Sequence, residues 1–218
     1  RSSDLANSAN GTPQVNIQTP SGAGVSRNVY SQFDVDGRGV VLNNSHASTS
    51  TQLAGMVAGN PNLAKGEARV ILNEVNTRDP SRLNGYIEVA GQKAQVVIAN
   101  PGGISCDGCG FINANRATLT TGQVQYSNGQ ISGYDVNRGE IIVQGGGLDA
   151  SSVDSTDLLA RAVKINAGVW AQELKVTAGR NQIDAAHSLT TAKSSDGSAA
   201  PAVAIDVSAL GGMYAHKI

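Results

Sequence analysis

Two cysteines, Cys106 and Cys109, stand three residues apart in the stretch VVIANPGGISCDGCGFIN (96–113), and the chain has no others. A C-x-x-C pair can serve as half of a structural zinc site, but zinc then needs a second such pair or paired histidines. The chain has only His46, His187 and His216, isolated from one another in sequence. A thioredoxin-like redox centre places the pair at a helix start within a βαβ unit. Here it lies between β-prone runs, with Gly103, Gly108 and Gly110 around it. The favoured reading is a short structural disulfide that pins a loop in an oxidising compartment; an inert reduced pair is the alternative. So small a ring removes little chain entropy, so its effect is local.

Other chemistry finds little support. Enzymes that cleave polysaccharides need clustered carboxylates, often with calcium or a basic partner. Asp34 and Asp36 share a strand face by period two, and Asp154 and Asp157 are near each other, but neither pair makes a recognisable metal loop. No G-x-S-x-G elbow is present for serine chemistry. The expectation is no catalytic residue, no metal and no cofactor.

The elements that position these residues are written in the composition. Of 218 residues 40% are hydrophobic, only 15% charged and 4% aromatic, with 26 glycines and a net charge of −1. Gly and Asn accept the backbone geometry of tight turns, so the chain suits many short strands and suits a helical bundle poorly. Lys and Arg are scattered, leaving no basic stripe for nucleic acid. No apolar run reaches the roughly 18 residues of a membrane helix.

Four hexamers look alike: ATLTTG (117–122), IIVQGG (141–146), VKINAG (163–168) and LKVTAG (174–179). In the last two, apolar residues alternate with polar ones, a period of two with one face buried. Their starts are 24, 22 and 11 residues apart, a full turn of about 22 with a half-turn inside it. This predicts a parallel β-helix with Ile141, Val143, Val163, Ile165, Leu174 and Val176 facing inward, and with Asn166 and Asn181 as candidates for stacked Asn ladders. An antiparallel sandwich shares the composition. The stretch from Asp157 to Val163 hints at a helical turn, but the hexamer after it argues for strand. An end coil exposes unpaired backbone and needs a cap. PQVNIQTP (13–20) and VYSQFDVDGRGVVLNN (29–44) are expected to supply it. PAVAIDVSALGGMYAHKI (201–218) ends with the strand pattern still running, as at the start of a longer solenoid.

GNPNLAKGEARVILNEV (59–75) and VIANPGGISCDGCGFINANRATLTTG (97–122) resemble the secretion domain of two-partner secretion (TPS) exoproteins. That family includes filamentous haemagglutinins, haemolysins and contact-dependent growth inhibition toxins. LLARAVKINAGVWAQELKVTAG (158–179) and DVSALGGMYA (206–215) are similar to it as well, so the resemblance covers nearly the whole chain, residues 1–218, as one domain. The CDGC form resembles the growth-inhibition and haemolysin branch. The resemblance implies a right-handed parallel β-helix with an N-terminal cap and extra-helical β-strands, at the N-terminal end of a longer β-helical exoprotein.

It also implies a function. Such a domain follows a cleaved signal peptide and crosses the periplasm on its way to the cell surface or medium of a Gram-negative bacterium. There a TpsB-type outer-membrane β-barrel transporter recognises it through periplasmic POTRA domains and export begins. The expected domain is a monomer, with no nucleic-acid partner and no stable membrane insertion. Two other functions compete: an adhesin binding host surface ligands, and a β-helical polysaccharide-degrading enzyme.

The family motifs fall on Asn60-Pro61-Asn62-Leu63 and Asn100-Pro101-Gly102-Gly103-Ile104. The second departs from the family's Asn-Pro-Asn-Gly-Ile at Gly102. Asn and Gly both tolerate left-handed turns, so Gly102→Asn is expected to be accommodated. Two roles stay open for both motifs: direct contact with the transporter, or folding alone.

Overall fold

A computed structural model describes residues 4–207 and 212–218. The family-like stretch 206–215 thus runs partly through 208–211, outside the described residues. A 15-stranded sheet, almost wholly parallel, curls on itself into a β-helix with three faces. Each face is a stack of short strands, one from each coil.

The register shows how the coils stack. On the first face the column runs Val35, Leu83, Cys106, Val143, Ile165, Val207. On the second, Val40 lies on Ile87 and Ile87 on Phe111. On the third, the column is Ser26, Ile71, Val96, Ala117, Thr156, Leu174. Inward side chains of all three faces make one apolar core in which Ile141, Val143, Val163, Ile165 and Leu174 are buried and Val176 is half-buried against it. Aliphatic side chains fill so narrow an interior, and Phe33 and Phe111 are the only phenylalanines in it.

The stretch 158–165 is strand, broken only at Arg161. The hexamers at 141 and 163 lie directly on each other. Those at 117 and 174 share the third face, but with Ser155–Ala160 between them.

The expected cap holds for 13–20 and needs correction for 29–44. Val25–Tyr30 and Val40–Asn44 pair in parallel with Val70–Val75 and Tyr86–Gly91, so the stretch 29–44 belongs largely to the first coil. The strand Asp4–Asn7 runs antiparallel to Pro13–Asn16, which itself lies parallel on Val40–Asn44. The Asn ladders also lie elsewhere. Asn43 stacks on Asn16, with Nδ2 donating to Oδ1 at 3.1 Å, and Asn73 stacks on Asn28. Asn166 is exposed, and Asn181 sits outside the helix.

Two antiparallel sheets lie outside the coil. Gln123–Ser127, Gln130–Val136, Asn181–Asp184 and Thr190–Ala192 form one. Its Tyr134, Val136 and Ile183 pack on Leu72, Val97 and Leu159 of the third face. The hairpin Thr49–Thr51/Gly55–Val57 forms the other, with Val57 against Val41 and Ala90 of the second face.

Candidate functional site

The two Asn-Pro motifs are corners of the coil, and both are built the same way. Asn100 is fully buried. Its Nδ2 donates to the Asp79 carbonyl at 2.8 Å and to Ser81 Oγ at 3.0 Å, and its Oδ1 accepts from Gly102 N at 2.8 Å. Its own backbone joins in, since Asn100 N donates to Thr120 O and Gly103 N donates to Asn100 O. One side chain therefore ties its own turn to the coil before, while its backbone N–H ties it to the coil after.

Asn60 repeats the pattern. Its Nδ2 donates to the carbonyls of Ile17 and Asn43, each at 3.0 Å, and its Oδ1 accepts from Asn62 N at 3.0 Å. Pro61–Leu63 is a three-residue 3-10 turn that Asn60 caps. Proline suits the first helical position, where its missing N–H costs nothing. Asn62 Nδ2 donates to Ile17 O at 3.1 Å, and Leu63 is buried in the core.

Both asparagine amides are consumed within the fold. Surface is left to Pro61, which is exposed, and to Asn62, Pro101 and Gly102, which are half-exposed; Gly103 and Ile104 are buried.

The structure corrects the expectation for Gly102. A Cβ there would lie 2.3 Å from the Arg78 carbonyl oxygen and 2.7 Å from its carbon. The backbone of the preceding coil fills the space, so Asn cannot enter without moving the corner. The obstacle is packing between coils, which the turn type does not reveal.

Cys106 and Cys109 form a disulfide with Cα atoms 5.4 Å apart. Cys106 belongs to the first-face column and Cys109 pairs with Leu148 on the second, so the bond spans the corner between faces from inside the core. Asp107 and Gly108 form the outside of this corner. Asp107 Oδ1 accepts from Gly146 N of the next coil at 2.9 Å.

The candidate carboxylates do not converge. Asp34 Oδ1 accepts from Arg82 N, Asp36 holds Arg38, and Asp154 is exposed while Asp157 is buried. Among the described residues no group of three or more His, Cys, Asp and Glu side chains could hold a metal ion.

Two histidines are not isolated in space. His46 pairs with Glu67. His187 is buried, with Nδ1 at 3.2 Å from Asp157 Oδ2 and 2.7 Å from Arg116 Nη2. Arg116 Nε also donates to Asp157 at 3.0 Å, and Lys175 Nζ donates to the His187 carbonyl. Burial pushes the Asp157 carboxyl up, but the His187 and Arg116 side chains outweigh it and hold it below the usual range. This cluster fastens the outer sheet to the third face. Sequence reading missed it because Arg116, Asp157 and His187 lie on separate strands and loops with no common spacing.

The comparisons with known proteins agree with this architecture. The family model described as the TPS secretion domain matches residues 1–218. The Toxin CdiA of Yersinia pestis is 70% identical over 214 residues, which are 98% of this chain and 6% of that protein. The tRNA nuclease CdiA-2 of Burkholderia pseudomallei strain 1026b is 50% identical over 211 residues, 96% of this chain and 7% of that protein. The chain thus spans a small fraction of the length of these relatives. Among solved structures, a filamentous hemagglutinin secretion domain superposes with a TM-score of 0.90 at 39% identity, covering 97% of this chain and 73% of that one.

Proposed function

From the premise that the chain belongs to the TPS secretion domain family, we propose that it starts the export of a large exoprotein of the contact-dependent growth inhibition type. Its partner is a TpsB-type outer-membrane transporter, which it meets in the periplasm through POTRA domains, as a monomer. The exoprotein then reaches the cell surface or the medium. The observation that carries the reading is the family match along the whole chain. A disulfide buried in the core suits an oxidising compartment such as the periplasm.

The nuclease activity in some relatives' names belongs, in this reading, to the large part of those proteins that this chain does not cover. Here the asparagines of the corners act through folding, because their amides are buried and fully used. The transporter reads the shape those corners set, including strand edges that can accept an added strand. The test is to express the chain with a signal peptide and the cognate transporter and to blot medium against periplasm. Release of the wild type, with Asn60→Ala and Asn100→Ala retained in the periplasm, supports the reading. Equal release with and without the transporter overturns it.

A further inference from the structure

A groove of about 590 Å³ runs beside the Asn100-Pro101 corner, between successive coil corners and the outer sheet. Its wall includes Val75, Ala99, Pro101 and Thr121. It also holds two acidic side chains, Glu74 and Asp135, but each is already paired, with Arg27 and Lys193. Two arginines, Arg78 and Arg138, line it as well and are exposed. Among the described residues neither guanidinium has an ion pair or hydrogen bond. Arg78 precedes the Asp79 carbonyl and the Ser81 hydroxyl that Asn100 grips, and Gly102 lies against its backbone, so the corner fixes where this arginine starts.

Two further features point to an occupant. Thr121 is 1% exposed, and its hydroxyl has no hydrogen-bond partner. This leaves the groove wall with an unmet polar group. The strand Gln123–Ser127 begins at the groove with Gln123 and Val124 and has a partner on one side only, Gln130–Val136. Its other edge offers free backbone groups to an added strand. The volume is that of a ligand-binding cleft, and its unspent charge is positive.

We infer that this groove receives an extended, acidic segment of the transporter's periplasmic region, with Arg78 and Arg138 engaging its carboxylates. The inference rests on the transporter reading above and names the surface and the chemistry of the contact. It separates two jobs: the buried asparagines shape the corner, and the arginines beside it make the contact. Arginine suits the task because its planar guanidinium binds a carboxylate through two hydrogen bonds.

The test titrates the purified periplasmic POTRA region of the cognate transporter into the 218-residue chain. The chain is compared with Arg78→Glu/Arg138→Glu and with Lys93→Glu, an exposed charge outside the groove. Loss of affinity on the order of tenfold or more in the double variant, with the Lys93 variant close to wild type, supports the groove. Circular dichroism checks the fold. Should the charge reversal disturb it, Arg78→Gln/Arg138→Gln takes its place, with a loss of about fivefold expected. Equal binding by wild type and the folded double variant overturns the groove while leaving the transporter reading intact. No binding by the wild type overturns both.

Discussion

Asn100 Nδ2 lies 3.0 Å from Ser81 Oγ, and both side chains are completely buried. The pair joins one coil to the coil before it across 19 residues of chain, and the Asp79 carbonyl shares the same amide. Replacing Asn100 by Ala leaves Asp79 O, Ser81 Oγ and Gly102 N short of a partner. An orphaned buried group costs about 1–3 kcal/mol; Ser81 Oγ is fully buried and the other two groups only partly, so a total loss of roughly 2–4 kcal/mol is expected. Urea denaturation measures it. A change below about 0.5 kcal/mol would show that the corner does not depend on this side chain.

Gly102→Asn, which the turn type alone would accommodate, is expected to destabilise the chain. Its Cβ would meet the Arg78 carbonyl at 2.3 Å, and relieving an overpacked contact of this kind costs about 1–3 kcal/mol. Gly102→Ala should cost about as much, since the clash begins at Cβ. Thermal melts of the two variants decide the point. A variant with Asn at 102 that melts with the wild type would mean that the preceding coil moves freely.

Changing Cys106 and Cys109 together to Ser opens a ring of very short span. The chain-entropy relation for so small a loop gives about 2 kcal/mol. The affected backbone is confined to the corner between the first and second faces, where Asp107 meets Gly146. Hydrogen exchange should therefore quicken at 104–112 and 141–150 and stay unchanged on the third face. Loss of protection throughout the helix would contradict a local role.

The Arg116–Asp157–His187 cluster makes the outer sheet sensitive to acid. The Asp157 carboxyl is held below its ordinary value in the folded chain. The unfolded chain therefore takes up the proton first as pH falls, and the folded form loses stability through that range. The contribution is fully present above the ordinary Asp value of about 4 and disappears as pH drops through the lower folded value. Exchange at 181–187 followed from neutral to strongly acidic pH should rise in that window, and Asp157→Asn should remove the step. A flat profile in the wild type would reject the assignment.

The sequence showed the coil where one strand face stays wet. Lys164 separates Val163 from Ile165 and stays partly exposed, so the alternation survives on the page. The alternation fades at Thr156-Asp157-Leu158-Leu159, where the outer sheet covers the second side and all four are buried. From Asp157 that run hints at a helical turn, and only the hexamer after it argues for the strand that the structure shows. Asn28, Asn43 and Asn73 were unreadable for a related reason. An asparagine inside a strand looks like a surface residue until a neighbouring coil, or for Asn43 the Ala58 carbonyl beside the hairpin, supplies its acceptor. The Asn-Pro corners were visible as turn chemistry, whereas the Gly102 clash depends on a residue more than twenty positions earlier and has no local signal.

The third-face column Ser26, Ile71, Val96, Ala117, Thr156, Leu174 can be viewed as a growing polymer. The first contact must close a gap of 45 residues, whereas later ones close gaps between 18 and 39. Every addition after the first finds a finished edge to lay down on, because each rung touches only its neighbours. The first rung is the costliest to close, and once it stands elongation can proceed in chain order with smaller gaps to close. A chain of this kind can take shape from its leading end while the rest is still extended, as threading through a pore requires.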